Sequence, residues 1–253
     1  MLGRFIVSSA RLEEFNETAR SYIYAGAGGQ LWKISMLASD DLISDIQRLS
    51  QFNNDHQQHA VIDVVELKAT QINEIQRALS MIPNKVTTYV EVPIADDLGM
   101  LITSIARAGA RAKVRTGGTS QEMFPSSRDI ARFIAVCVQK GVPFKATAGL
   151  HHPMRSCYRL TYKEDSPKGM MYGFLNVFLA AAFIGNGIGN DTAIDVLEEQ
   201  SPEAFHFHDD FVEWHGHRIS NDELMRTRKQ VAISFGSCSF REPVDDLHTL
   251  HLL

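Results

Sequence analysis

Ionisable side chains recur at alternate positions inside runs of β-forming residues. AVIDVVELKA offers Glu66 and Lys68, TTYVEVPI offers Glu91, AKVRTGG offers Lys113 and Arg115, and PFKATAG offers Lys145 with Thr147. Alternate spacing puts the paired members of a strand on one face. A charge buried within a parallel strand is costly, so such residues are expected at the solvent-accessible C-terminal strand ends, where barrel enzymes keep their sites. Four cations and two carboxylates on neighbouring strands would form an electropositive pocket suited to a phosphate, a carboxylate or a developing enolate. Thr116, Gly117 and Gly118 follow one strand and Gly149 another, and the glycines would let backbone N–H groups approach a ligand. On this reading Lys113 or Lys145 is nucleophile or electrostatic catalyst, and Glu91 or His151 moves protons. Glu66, Lys68, Arg115, Thr116, Gly117, Gly118, Thr147, Gly149 and His152 hold the substrate. The competing reading of each charge is a rim salt bridge.

The two lysine strands carry a resemblance. KVRTGG (Lys113 to Gly118) and, one helix later, FKATAG (Phe144 to Gly149) resemble two strand ends of deoxyribose-phosphate aldolase and its class I aldolase relatives. That resemblance implies a TIM-like barrel, with Lys113 as the imine-forming lysine and Lys145 as the neighbour that lowers its pKa. It covers about forty residues. Arg115 stands where the family has a small residue, His151 and His152 follow the second glycine turn, and the family's catalytic aspartate has only Asp63, Glu66 and Glu91 as candidates. The segments FKATAGLHHP and FGSCSF also resemble a bacterial family of unassigned function, which implies no mechanism.

Two further groups of residues could do chemistry. HFH and HGH (His206, His208, His215, His217) are read as same-face pairs on the facing strands of one β-hairpin, able to bind a transition metal but more often solvated. Cys238 lies in GSCS. With no partner histidine identifiable, the segment reads as a small-residue turn completing the sheet rather than a nucleophile loop. Cys137 reads as core, and Arg155, Arg241 and Glu242 as secondary contacts.

The elements that must position these residues follow one rhythm, a β-rich run, a polar break and an amphipathic stretch, which is the pattern of a parallel sheet with crossover helices. Helices are expected near Leu12–Ala25, Asp40–Gln51, from Thr70 to Pro83, Asp96–Ala108 and Ser127–Lys140, the last capped by Ser126. Tyr172–Ile184, Asp191–Glu199 and Asn221–Gln230 follow, with a hairpin turning at Asp209 and Asp210 between the last two. VAISFGSCSF could then complete the barrel beside the first strand. The expected fold is therefore a single α/β domain over residues 1–253, a (β/α)8-type barrel that is distorted or lacks a strand, with a β-hairpin insertion in its C-terminal half.

The 253 residues carry a net charge of -5, which argues against nucleic acid as a partner. Three separated cysteines suggest a reducing, cytoplasmic setting. The first residues are too short an apolar run for a signal peptide. The apolar stretch from Met170 to Ile188 is broken by asparagines and glycines, so no membrane span is expected. No dinucleotide fingerprint, P-loop or nucleophile elbow is found, and neither cofactor nor metal is called for. The sequence thus points to an enzyme for a small carbonyl-containing, phosphorylated or carboxylated metabolite, with Schiff-base lyase chemistry as its sharpest form. The alternatives are a metal-dependent hydrolase using the histidines and a non-catalytic anion-binding barrel. Homo-oligomerisation is left open.

Overall fold

The expected alternation is borne out through the first six strands in a computed structural model of the chain, which describes residues 3–25 and 31–253. In order, they are β1 (Phe5–Ser8), α1 (Leu12–Ala25), β2 (Trp32–Leu37), α2 (Leu42–His56), β3 (Ala60–Lys68), α3 (Ile72–Met81), β4 (Thr87–Glu91), α4 (Leu98–Arg107), β5 (Arg111–Arg115), α5 (Ser127–Lys140) and β6 (Phe144–Thr147). The helix boundaries have local causes. The Ser126 hydroxyl accepts from the Asp129 N–H at the start of α5, and Gly141 ends it in the left-handed region at φ 63°. Gln71 and Glu74 form a reciprocal capping box on α3.

The second half departs from the rhythm. β7 (Ser156–Arg159) and β8 (Lys168–Met171) form an antiparallel pair that the sequence pattern did not suggest, followed by α6 (Phe174–Gly185) and α7 (Asn190–Glu198). The expected single hairpin is instead a three-stranded meander of β9 (Phe205–Phe207), β10 (Phe211–Trp214) and β11 (His217–Ser220). Its second turn is His215–Gly216, both at positive φ (45° and 82°), as a two-residue hairpin turn requires. α8 (Asn221–Gln230), β12 (Ala232–Phe235) and α9 (Glu242–Thr249) close the chain.

β1 to β6 and β12 form one parallel sheet in the order β1-β2-β3-β4-β5-β6-β12, curled into a half-barrel. A closed eight-stranded ring is not what the described residues form. β12 bonds to β6 and not to β1, so the expectation that it completes the barrel beside the first strand needs correcting: among the described residues no strand ladder crosses that seam. A methyl group on Gly236 would lie 3.6 Å from Ile6 Cδ1, and the Phe5 and Phe240 rings are 6.2 Å apart.

The two faces of the sheet differ sharply. Ile34, Met36, Val65, Val90, Ala112, Val114, Phe144 and Ala146 are buried and belong to the one large apolar core. The residues that alternate with them, Ser35, Glu66, Glu91, Lys113 and Lys145, are equally buried but polar. The hydrophobic effect therefore holds the sheet through its helix-covered face, and the concave face holds a charge network.

Candidate functional site

Strand register brings the charged residues together. Lys68 pairs with Glu91, Glu91 with Lys113, and Lys113 with Lys145, so these four lie in one row across β3 to β6. Glu66 stands one step below, opposite Tyr89. Lys145 Nζ lies 2.5 Å from Glu66 Oε1, which also accepts from the Ser35 hydroxyl at 2.6 Å. Lys113 Nζ bridges the two carboxylates, 3.0 Å from Glu66 Oε2 and 2.9 Å from Glu91 Oε2. Neither of those two oxygens has an aligned hydrogen bond despite the short distances, so Lys113 acts on both mainly through its charge. Arg115 Nε reaches Glu91 Oε1 at 3.3 Å, and Lys68 lies 4.0 Å from the same oxygen.

Burial and charge act in opposite directions here. Burial pushes the Glu66 carboxyl upward, but Lys145 and Lys113 outweigh it and hold its pKa below the usual range. Glu91 is likewise held low, burial being outweighed by Lys113, Arg115 and Lys68. For Lys145, burial is the largest influence and Lys113 and Arg4 add to it. They prevail over Glu66, and the ammonium is left with a pKa below its ordinary value. Four cations face two carboxylates, so with all six ionised the cluster carries an excess of positive charge. Its lower members are sealed, and its rim is open: the Arg115 side chain is 37% and that of Lys68 72% exposed.

The turns after β5 and β6 do something other than expected. Thr116 is fully buried, and its hydroxyl reaches the Thr147 and Ala148 carbonyls at 3.1 and 2.6 Å, tying the two strand ends together. The space that Gly117 and Gly118 leave is filled by protein. A methyl group on Gly117 would meet the Phe124 ring at 2.5 Å, and one on Gly118 would meet Met123 Sδ at 2.5 Å. These two glycines admit side chains of the loop before α5 rather than a ligand. Gly149 (φ 72°) also packs near Phe124, and Ala148 before it adopts φ 61°, a conformation seldom taken by a residue with a Cβ. This tight turn delivers His151 and His152 to the rim. Thr147 is half-buried beside Gly236.

His152 Nδ1 lies 2.5 Å from Asp246 Oδ2, and its ring stacks on Tyr158 at 3.5 Å between centroids. His151 meets the segment after β12: its Nδ1 is 3.2 Å from Ser237 Oγ and 3.4 Å from Cys238 Sγ, and its Nε2 is 3.7 Å from the same sulfur. Tyr162 OH contacts Cys238 Sγ at 3.2 Å and donates to Glu242 at 2.7 Å. The histidine partner of Cys238 that the sequence does not identify is therefore His151. Eighty-seven residues separate the two, and only the adjacency of β6 and β12 joins them. The other histidines stay apart from this group: His215 lies in a turn bound to Glu199 at 3.1 Å, not on a strand face with His217. Among the described residues, no three His, Cys, Asp or Glu side chains are grouped to hold a metal ion. Asp63, one candidate for a catalytic aspartate, is engaged by Arg4 through two bonds of 2.7 and 2.8 Å.

Two surface clefts lie elsewhere. One of about 520 Å³ is bordered by Asp195, Glu198, Glu199, Trp214 and His215, and one of about 280 Å³ by Ser9, Asn16, Arg48, Phe52 and His56. Neither contains any charged residue of the strand ends, and shape alone assigns no chemistry. The strand-end cluster, where buried ionisable groups and displaced pKa values coincide, is the candidate site. No family model matches the chain and no curated protein is significantly similar to it, so the site is interpreted on its geometry.

Proposed function

We propose that this protein is an enzyme acting on a small carbonyl compound bearing a phosphate or carboxylate, with Lys145 as the nucleophilic amine. The observation that carries the reading is a lysine buried to 5% exposure on a strand of the half-barrel, beside a carboxylate and a second ammonium, with its own pKa lowered. A neutral amine attacks a carbonyl carbon, and loss of water then gives an imine. Glu66, 2.5 Å from the Lys145 nitrogen, is placed to take the proton the amine releases, and Lys113 is placed to stabilise the oxygen anion that develops. Arg115 and Lys68, on the open rim, would hold the substrate's anionic end. The aldolase-like strand ends support the same reaction class. The roles of the two lysines are exchanged relative to that resemblance, because Lys113 is held between two carboxylates and Lys145 has one.

The test is borohydride reduction in the presence of a panel of aldehydes and keto acids, read by intact mass. A substrate-sized adduct is expected on the wild type and on Lys113→Met, and none on Lys145→Met. If no carbonyl compound adds to any lysine while phosphate or a dicarboxylate raises the melting temperature, the chain is an anion-binding half-barrel without turnover. The charge excess of the cluster favours that second reading.

A further inference from the structure

We infer that Cys238 and His151 form a second nucleophilic centre at the rim of the half-barrel, a thiol with its own general base, which adds to the carbonyl carbon of a small aldehyde. The thiol is exposed, as a nucleophile must be. The hydrogen bonds around it determine which ring nitrogen is the base. Ser237 has one hydroxyl proton and donates it to the Ser239 carbonyl at 2.8 Å. Its oxygen can then only accept from the histidine, so Nδ1 of His151 carries the proton and donates it to Ser237 at 3.2 Å. Nε2 is left unprotonated, and the sulfur lies against the ring 3.4 Å from Nδ1 and 3.7 Å from Nε2, so a turn of the imidazole brings the Nε2 lone pair onto the thiol proton. Burial also lowers the His151 pKa, an effect only partly offset by Glu242, and this favours the neutral ring that a base requires. Tyr162 gives its proton to Glu242, so its oxygen faces the sulfur as an acceptor.

The segment carrying the thiol is built rather than loose. Ser237 Oγ accepts from the Ser239 N–H, and Ser239 Oγ accepts from the N–H groups of Arg241 and Glu242 at the start of α9. The histidine is delivered by the strained Ala148–Gly149 turn. Gly236, two residues before the cysteine, lies against the Lys145 stem: a methyl group there would be 3.6 Å from Lys145 Cε. The thiol and the buried amine thus serve one end of the sheet. In the reaction, the Cys238 proton passes to His151 Nε2 as sulfur bonds to the carbonyl carbon. The C=O π electrons move to oxygen, which takes that proton back, and the product is a hemithioacetal. The choice of an aldehyde rests on the carbonyl reading above; the activation of the thiol does not.

The experiment uses the full chain and its own reference thiol, Cys157, exposed on β7. Limiting iodoacetamide followed by peptide mass spectrometry is expected to label Cys238 on the order of tenfold faster than Cys157, a modest share of what a positioned base contributes. His151→Asn should remove the difference and leave the Cys157 rate unchanged. Where that variant fails to fold, Ser237→Ala, which releases the proton position on the ring, should reduce the selectivity. Equal rates in the wild type, or a selectivity that survives both substitutions, overturns the proposal. Glycolaldehyde should then slow labelling of Cys238 and not of Cys157, in the wild type and in Lys145→Met alike. Protection that disappears in Lys145→Met means the aldehyde sits on the lysine and overturns the thiol adduct. Protection that persists where borohydride traps nothing leaves the thiol centre standing and removes the imine reading.

Discussion

At the scale of the residue, Glu66 is the group on which the cluster depends. It is 2% exposed and is the one carboxylate that both buried lysines share. Removing one partner of a buried ion pair leaves an uncompensated charge and commonly costs about 3–5 kcal/mol. Glu66→Gln is therefore expected to destabilise the chain by about that amount in a denaturant titration. Lys145→Met should cost less, because Glu66 retains Lys113 at 3.0 Å and the Ser35 hydroxyl. A Glu66→Gln loss no larger than that of Lys145→Met would show that Glu66 does not organise the group. That charged residues would gather at the strand ends was legible from the sequence, since alternation put Glu66 with Lys68 and Lys113 with Arg115 on one face of their own strands. The register that joins Glu66, Glu91, Lys113 and Lys145 is read from the sheet. That Lys145 would have its basicity lowered was not legible, because that depends first on its burial and then on which charges it meets, and pairing across strands decides both.

At the scale of the element, the loop between β5 and α5 is the least expected part. Gly117 marks a close approach, as a glycine in a strand-end turn should, but the approaching group is the Phe124 ring. Gly117→Ala is expected to cost about 1–3 kcal/mol through overpacking. Phe124→Ala should absorb much of that cost in a double-mutant cycle, since the two changes share one contact. Additive losses would mean the glycine is needed for some other reason. The strand–helix units through β6 were readable because each carries its own periodicity, and some a cap as well, such as Ser126 before α5. β7 and β8 were not: SCYR and KGMM are four-residue strands with one another as their sheet partners, and so short an alternation does not stand out from a loop. The His151–Cys238 contact was hidden for a related reason. It arises from the order of strands in the sheet and leaves no local pattern in either segment.

At the scale of the whole molecule, the charge network ties stability to pH. Glu66 and Glu91 have lowered pKa values in the folded chain, while in the unfolded chain they titrate near the ordinary value of 4.5. The unfolded state therefore binds more protons as pH falls. The stabilisation is fully present above about pH 4.5 and is lost as pH descends through the folded-state pKa values. Lys145 acts at the other end of the scale. With a folded pKa below the ordinary 10.5, its burial opposes folding near neutrality and is relieved as pH rises toward 10.5. Melting temperature should fall steeply below about pH 4.5, and Lys145→Met should flatten the alkaline limb. An acid limb unchanged in Glu66→Gln would contradict this assignment.

The open seam between β1 and β12 has its own consequence. In a ring of strands closed by hydrogen bonds, any change of bore must break or slide a ladder. Here the first and last strands share no ladder, and among the described residues the gap is spanned by the Ile6 side chain lying beside the Gly236 backbone and by the Phe5 and Phe240 rings. The sheet can thus change its curvature like a split ring, with the backbone bonds of its six paired interfaces intact and only an apolar contact to part. The buried amine of Lys145 lies on β6, one strand in from that split, so a change in curvature at the seam would reach it through β12.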